Sequence, residues 1–458
     1  MTDGFQRGHA GVYVGTNSSG DVSGNKITVI EKSPNSAGIP DQAFGYGVHV
    51  DKKSYAKVTG NTIELKITAG TGDSGSTGIY ADKSSAVDSS GNTFKSNGKG
   101  MLGISANEGS VITSVGDTFV ADGPWSKAFQ IYSNSVAVIR SADITANGGT
   151  GEVKNGDSPL AMKDTSRGID VANNSKVDVS GSVIKMKGDS SNAISVMADS
   201  YGKIEKTTIE TNGASSHGIE VVGTPWYWGA PSNTASADIK DVKIHTTGSR
   251  SNGLRVENLA DVRAENVEIT TLGKSAHAVY SNGGGVGASA DIKGGKIATS
   301  DASAGYGFNK ASITYDNTEF NIGGNVYAFM VYTNSTINLN NITKFSNNSG
   351  ALLYTGDSGA LNMSGTTIGG SIIHGANYGT IGALDVVMSG SKWSGYADVA
   401  DKDAVNAKIN LTLDETSLWN VTNDSYTNGA LNNNGLINFG EKAEDGFKTV
   451  EVASYKGG

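Results

Sequence analysis

Cysteine is absent from this 458-residue chain, which removes disulfide scaffolds, thiolate metal sites and cysteine nucleophiles together. The 6 histidines show no HExxH or other metal-ligand spacing, so neither a metal nor another cofactor is expected. No window approaches the roughly eighteen apolar residues that span a bilayer as a helix, and the opening MTDGFQRGHA has no apolar signal core. Basic residues are the minority: 36 Lys and Arg against 45 Asp and Glu leave a net charge of −9. That balance argues against nucleic acid as a partner, because neutralising phosphates needs a basic surface. Proline is scarce at 6 residues, while glycine, at 63, is abundant. With few helix formers and many β-formers and turn residues, an all-β protein is expected. A lack of cysteine also suits a protein that crosses an envelope unfolded.

What the chain has is a repeat. Turn residues lead into an apolar residue in GNKI, GNTI, GNTF, GDTF, SADI, GSVI and KTTI, placing a recurrent apolar position at Ile27, Ile63, Phe94, Phe119, Ile144, Ile184, Ile209, Ile244, Ile269, Ile297 and Phe320. The base period is near 25 residues, and longer gaps read as the same unit carrying an insertion. Each unit holds two further alternating segments, such as GIDVA and KVDVS before VIKMK. Alternation puts Ile169 and Val171 inward and Asp170 outward. Three short strands make a coil too small to bury its own apolar face, but stacking like on like at 4.7–4.9 Å builds a continuous interior. The pattern predicts a parallel β-helix over residues 1–395, followed by a C-terminal cap over 396–458 where the period fails.

The insertions fall at defined corners. EKSPNSAGIPDQ (31–42), AGTGDSGS (69–76) and the stretch 146–166 lie before the first strand of a coil, whereas GTPWYWGAPSN (223–233) lies after one. Long loops therefore wall the first-strand face on both edges. Its outward row reads Tyr13, His49, Tyr80, Ser105, Gln130, Asp170, Ser195, Glu220, Arg255, Tyr280 and Asn309, with Met330 and Leu353 continuing it as an apolar end. Hydrogen-bonding and aromatic groups at strand spacing suit an extended glycan, since a disaccharide of roughly 10 Å covers about two coils. Trp226, Tyr227 and Trp228 would stand on the rim, where exposed aromatics mark binding sites. Trp125 is a weaker companion on the opposite rim. The second-strand face carries both signs of charge, at Asp178, Lys203, Glu205, Asp238, Lys240, Asp261, Arg263, Asp291 and Lys293, and reads as exposed ion ladders or a flat protein-binding face.

Enzyme readings find little. Asp170 and Glu220 stand two coils apart, about 10 Å, beyond the spacing of a hydrolase carboxylate pair. Polygalacturonase motifs are missing apart from the fragment Ser216-His217-Gly218, and no serine sits in a GxSxG context. A polysaccharide lyase would need clustered acidic calcium ligands with a basic residue, and Arg255 near Glu220 is the nearest approach.

The end of the chain, SLWNVTNDS, LNNNGLINF and FKTVEVASYKG, resembles the junction region that closes the passenger domains of bacterial autotransporters of the pertactin-like and self-associating adhesin kind. The match covers about forty residues through the pattern W-x-V-x-x-x-S, L-x-x-x-G-x-I-x-F and F-K-T-[LV]-x-V-x-x-Y-x-G. The resemblance implies a right-handed parallel β-helix displayed outside a Gram-negative cell and exported by a C-terminal membrane barrel, from which this passenger looks excised. It gives Trp419, Leu436, Ile437, Phe439, Phe447, Val450 and Tyr455 a capping and folding role. Protease passengers of this kind carry a separate catalytic domain that is missing here and esterase passengers are built mainly of helices, so the resemblance leaves adhesion as the expectation. Partners of related adhesins include glycosaminoglycans and other host glycans, matrix proteins such as fibronectin, and copies of themselves. The expectation is an adhesin that holds a glycosaminoglycan-like glycan in the groove, with a matrix protein on another face. Self-association in aggregation and biofilm is the first alternative, and lyase action the second. A sulfated glycan would depend on Arg255 and on loop lysines such as Lys154 and Lys163.

Overall fold

In the computed structural model, the described residues are 10–32, 45–69, 76–98, 100–148, 166–224, 232–375, 382–440, 446 and 448–457. Every regular element among them is a strand, and every strand pairing is parallel. The protein is a right-handed parallel β-helix. Two compact units divide it, Met1–Ser251 and Asn252–Gly458.

In the unit 1–251 one coil consists of the strands Arg167–Val171, Lys176–Ser180 and Val183–Met186. Each pairs in register with its counterpart one coil on: Ile169 with Ile194, Val177 with Gly202, Ile184 with Ile209. The third-strand column runs unbroken from Ile27 through Ile63, Phe94, Phe119, Ile144, Ile184 and Ile209 to Ile244. Within it the Phe94 and Phe119 rings stack at 4.6 Å, 5° from parallel. Truncating either ring would remove about 3–5 kcal/mol. Those rings fix the sequence of the facing strands. A Cβ on Gly78 would stand 2.6 Å from the Gly103 carbonyl oxygen and 2.7 Å from Phe94 Cδ1, so only glycine lets the backbone come that close.

The corners are built from repeated polar residues. Before the second strands a serine ladder runs Ser54, Ser85, Ser110, Ser135, Ser175, Ser200, each backbone N–H donating to the next Oγ at 3.1–3.3 Å. Before the third strands Asn25, Asn61 and Asn92 do the same, and the row ends on buried Asp117, whose Oδ1 accepts from the Asn92 N–H at 2.7 Å. Buried corner donors are thereby satisfied, which a stacked turn requires.

In the unit 252–458 the same coil recurs, for example Leu254–Glu257, Ala260–Glu265 and Glu268–Thr271. Its interior passes from Ile269 and Ile297 to Phe320 and Phe345, then to Trp393 stacked on Trp419 at 4.9 Å. Each indole N–H donates to a backbone carbonyl, Gly370 at 2.8 Å and Gly395 at 3.0 Å, as buried tryptophan needs. Parallel pairing runs on beyond residue 396, through Asp398, Tyr426 and Glu451 on one face and Leu411, Leu431 and Tyr455 on another. Trp419 is fully buried, whereas Leu436, Phe439 and Tyr455 are exposed. Phe447 lies outside the described residues.

Candidate ligand face on the first strands

The outward row of the unit 1–251 is in the predicted register: Tyr13 opposes His49, then follow Tyr80, Ser105, Gln130, Asp170, Ser195 and Glu220. Its chemistry changes along the way. At the first three coils it is aromatic. His49 packs against Tyr13, Tyr46 and Tyr80 at 5.3, 4.8 and 5.2 Å between ring centroids, and Tyr46 stacks on Tyr80 at 4.9 Å. Burial pushes the Tyr80 hydroxyl up to about 12, so it stays protonated at neutral pH. Tyr46 lies three residues before His49, so strict alternation would turn it to the other face, yet the structure packs its ring on the imidazole, which is why the sequence pattern did not single it out.

Farther along, Asp170, Ser195 and Glu220 correct the expectation of a solvent-facing floor, for all three are buried. Asp170 Oδ2 meets Lys127 Nζ at 2.7 Å and Arg167 Nη1 at 3.2 Å, and accepts from the Tyr132 hydroxyl at 2.6 Å. Burial alone would raise this carboxyl, but Arg167 and Lys127 outweigh it and hold Asp170 below the usual carboxylate range. Glu220 Oε2 accepts from Asn192 Nδ2 at 2.9 Å and from Ser195 Oγ at 3.1 Å. Ser105 donates to Gln130 Oε1 at 3.2 Å. Outward alternation was right for the backbone, but these side chains are bonded to one another.

In the unit 252–458 the row starts at Arg255, opposite Tyr280. Arg255 is half-buried and pairs with Glu257 at 2.9 Å. The next positions correct the sequence expectation: Tyr306 and Tyr354 occupy the places assigned to Asn309 and Leu353, with Met330 between them as predicted. Asn309 sits in a turn at φ 53°, and Leu353 is wholly buried. The row therefore does not become apolar but forms a tyrosine ladder. Tyr280 stacks on Tyr306 at 5.4 Å, Tyr306 lies 5.5 Å from Tyr332, and Tyr332 lies 6.2 Å from Tyr354, with Tyr327 5.0 Å beside it. His277 supports the ladder at 4.8 Å from Tyr306. Burial pulls its imidazole down to about 4, so it is neutral at physiological pH. Burial and then the Glu257 charge push the Tyr280 hydroxyl up.

Tyr280 and Tyr306 face one another, 19° from parallel, whereas the Tyr306–Tyr332 and Tyr332–Tyr354 pairs are tilted by 34° and 58°. Tyr280, Tyr306 and Tyr354 are half-buried. Trp226, Tyr227, Trp228, Lys154 and Lys163 lie outside the described residues. Trp125 is half-buried in a turn at φ 61°.

On the second-strand face Arg140 holds Asp178 of the next coil with two bonds, at 2.9 and 2.7 Å. Lys203–Glu205 and Arg263–Asp261 pair along their own strands, at 3.1 and 3.4 Å.

No family model matches the chain, and no curated protein matches its sequence. In fold the chain is similar to Vag8 in the cryo-EM structure of the Vag8–C1 inhibitor complex, with a TM-score of 0.60. Identity is 15% over 94% of this chain and 100% of that chain, so the likeness is one of fold alone.

Proposed function

We propose that this chain is a non-enzymatic, surface-displayed adhesin, a passenger carried outside the cell by a C-terminal membrane barrel, and that the tyrosine ladder of the unit 252–458 is its ligand face. The observation that carries this is the ladder itself: half-buried Tyr280 and Tyr306 stack at 5.4 Å, and buried Tyr332, 5.5 Å from Tyr306 and 6.2 Å from Tyr354, links them to half-buried Tyr354. Such a row suits an extended polymer whose hydroxyls recur at about the coil spacing. An uncharged host glycan fits better than the glycosaminoglycan-like one, since Arg255 is already paired with Glu257 and sulfates would meet that carboxylate.

A protein partner is the second reading. It is favoured by tyrosine's prominence at interfaces and by the fold neighbour's appearance in complex with C1 inhibitor; a matrix protein such as fibronectin would be of this kind. The locked state of Asp170 speaks for binding over hydrolysis, because a general acid needs a raised pKa, not a lowered one. A glycan array with the purified chain tests the first reading, and binding there should fall at least tenfold in Tyr280→Ala with Tyr306→Ala. Binding to protein ligands alone would favour the second. Settling of bacteria that display the chain would point to self-association, and unsaturated products absorbing in the ultraviolet would point to a lyase.

A further inference from the structure

The first coils of the unit 1–251 place three possible metal ligands side by side that no sequence spacing announces. His49 and Asp51 are two apart on the strand Tyr46–Asp51 and so project to the same side. Val50 opposes Ala81 in the next coil, and the Asp82 N–H donates to the Val50 carbonyl at 2.9 Å. Asp82 thus comes alongside Asp51. One ligand atom from each of His49, Asp51 and Asp82 lies within 4.8 Å of the others.

The charges there are poorly balanced. Asp51 and Asp82 are 4% and 8% exposed. Two adjacent buried carboxylates repel each other and need a cation. Lys83 is the cation that reaches them among the described residues, and it does so loosely: its half-exposed Nζ stands 3.5 Å from Asp51 Oδ1 and 3.8 Å from Asp82 Oδ2. Asp51 Oδ1 accepts no hydrogen bond among the described residues. Its other oxygen has only a long bond, 3.3 Å, from the Tyr13 hydroxyl. The imidazole, by contrast, is fixed among the rings of Tyr13, Tyr46 and Tyr80. A buried carboxylate oxygen therefore points into a pocket with a held nitrogen ligand and a second carboxylate.

We propose that His49, Asp51 and Asp82 form a divalent metal site of the zinc class. One nitrogen and two carboxylate oxygens are a common open zinc set, whereas calcium and magnesium prefer oxygen alone. Binding would draw the ligand atoms from 4.8 Å to about 3.4 Å, the spacing set by tetrahedral bonds of about 2.0–2.1 Å. It would also displace the Lys83 ammonium. The fourth position stays open to water or to a group on a bound ligand. The site is independent of the tyrosine ladder.

The test is titration of the full chain with Zn²⁺ alone by calorimetry, with Co²⁺ as a spectroscopic probe. We expect one ion per chain and visible absorption bands of tetrahedral cobalt, a readout that needs no variant. His49→Gln and Asp82→Asn, checked for folding by circular dichroism, should each weaken binding roughly tenfold or more, as loss of one of three ligands implies. Lys83→Met should tighten it severalfold by removing the competing cation. No stoichiometric binding, affinity unchanged in both ligand variants, or Ca²⁺ held more tightly than Zn²⁺ would each overturn the assignment.

Discussion

Two stretches of the same outward row show what strand position does and does not determine. Around Asp170 in the unit 1–251, the row is charged and buried, and its groups are consumed by Lys127, Arg167, Tyr132 and Asn192. From Tyr280 to Tyr354 in the unit 252–458, the row is uncharged and its rings pack on one another through buried Tyr332, with Tyr280, Tyr306 and Tyr354 half-buried. Backbone register is equivalent in both. The difference comes from neighbours: long cations and amides reach over the first stretch, while tyrosines lean on one another in the second. A polar outward position is thus a candidate for ligand contact only when nothing on adjacent coils has already used its hydrogen bonds.

The sharpest way to break this contrast is to remove Asp170. Asp170→Ala leaves Lys127 and Arg167 facing each other without their carboxylate, and loss of one partner from a buried ionic group costs about 3–5 kcal/mol. Urea unfolding should show a loss of that order, while binding at the tyrosine ladder in the folded fraction stays unchanged. A stability change under 1 kcal/mol would mean that the network is not buried as described. The same group sets a pH dependence. Its folded pKa lies below the usual 3.8, so its contribution is complete above that value and is lost as pH falls through the lower, folded one. Thermal unfolding should show this acid limb, and Asp170→Asn should flatten it.

The ladder predicts a pH effect in a different window. His277 titrates near 4 when folded and near 6.5 when unfolded, so the unfolded chain takes up the proton first. Its contribution is whole above pH 6.5 and drains away between 6.5 and 4. The unfolding midpoint should therefore fall by several degrees from pH 7 to pH 5. His277→Gln should remove most of that fall, and an unchanged slope would show that the imidazole is not buried behind Tyr306.

Much of this architecture was readable because the interior repeats itself. Ile or Phe at Ile27, Ile63, Phe94 and their successors marks one column, and the structure stacks them as spaced. The outward row was readable from Tyr13 to Glu220 for the same reason. It failed at Tyr306 because the flanking inward positions are Gly305 and Gly307, which carry no apolar signal. Gly305 leaves its space to Tyr315, which is fully buried and donates to the Ala304 carbonyl at 2.8 Å. A large side chain from another strand thus fills the core where the local one is missing. Nor could spacing reveal that Asp170 is neutralised by Lys127, 43 residues earlier, or that Asp51 and Asp82 are neighbours. Both facts depend on which side chains meet across coils, and periodicity gives only which backbones do.

Removing the Tyr306 ring by Tyr306→Ala should cost the ladder about tenfold in ligand affinity, with a stability loss of about 1–2 kcal/mol from the two stacking contacts and the lost area. The smaller change, Tyr306→Phe, separates the two ways a tyrosine can bind. The ring stays stacked between Tyr280 and Tyr332, so stability should hold within about 0.5 kcal/mol. If ring edges alone contact the ligand, affinity will not move. If the hydroxyl row is the contact, one hydrogen bond is lost, worth about 0.5–1.5 kcal/mol, and affinity should drop between twofold and tenfold. Because the faces of Tyr280 and Tyr306 are turned to each other and so are closed to a ligand, the second outcome is expected. Titration of Tyr306→Phe beside the unmodified chain, against the best glycan from the array, decides it.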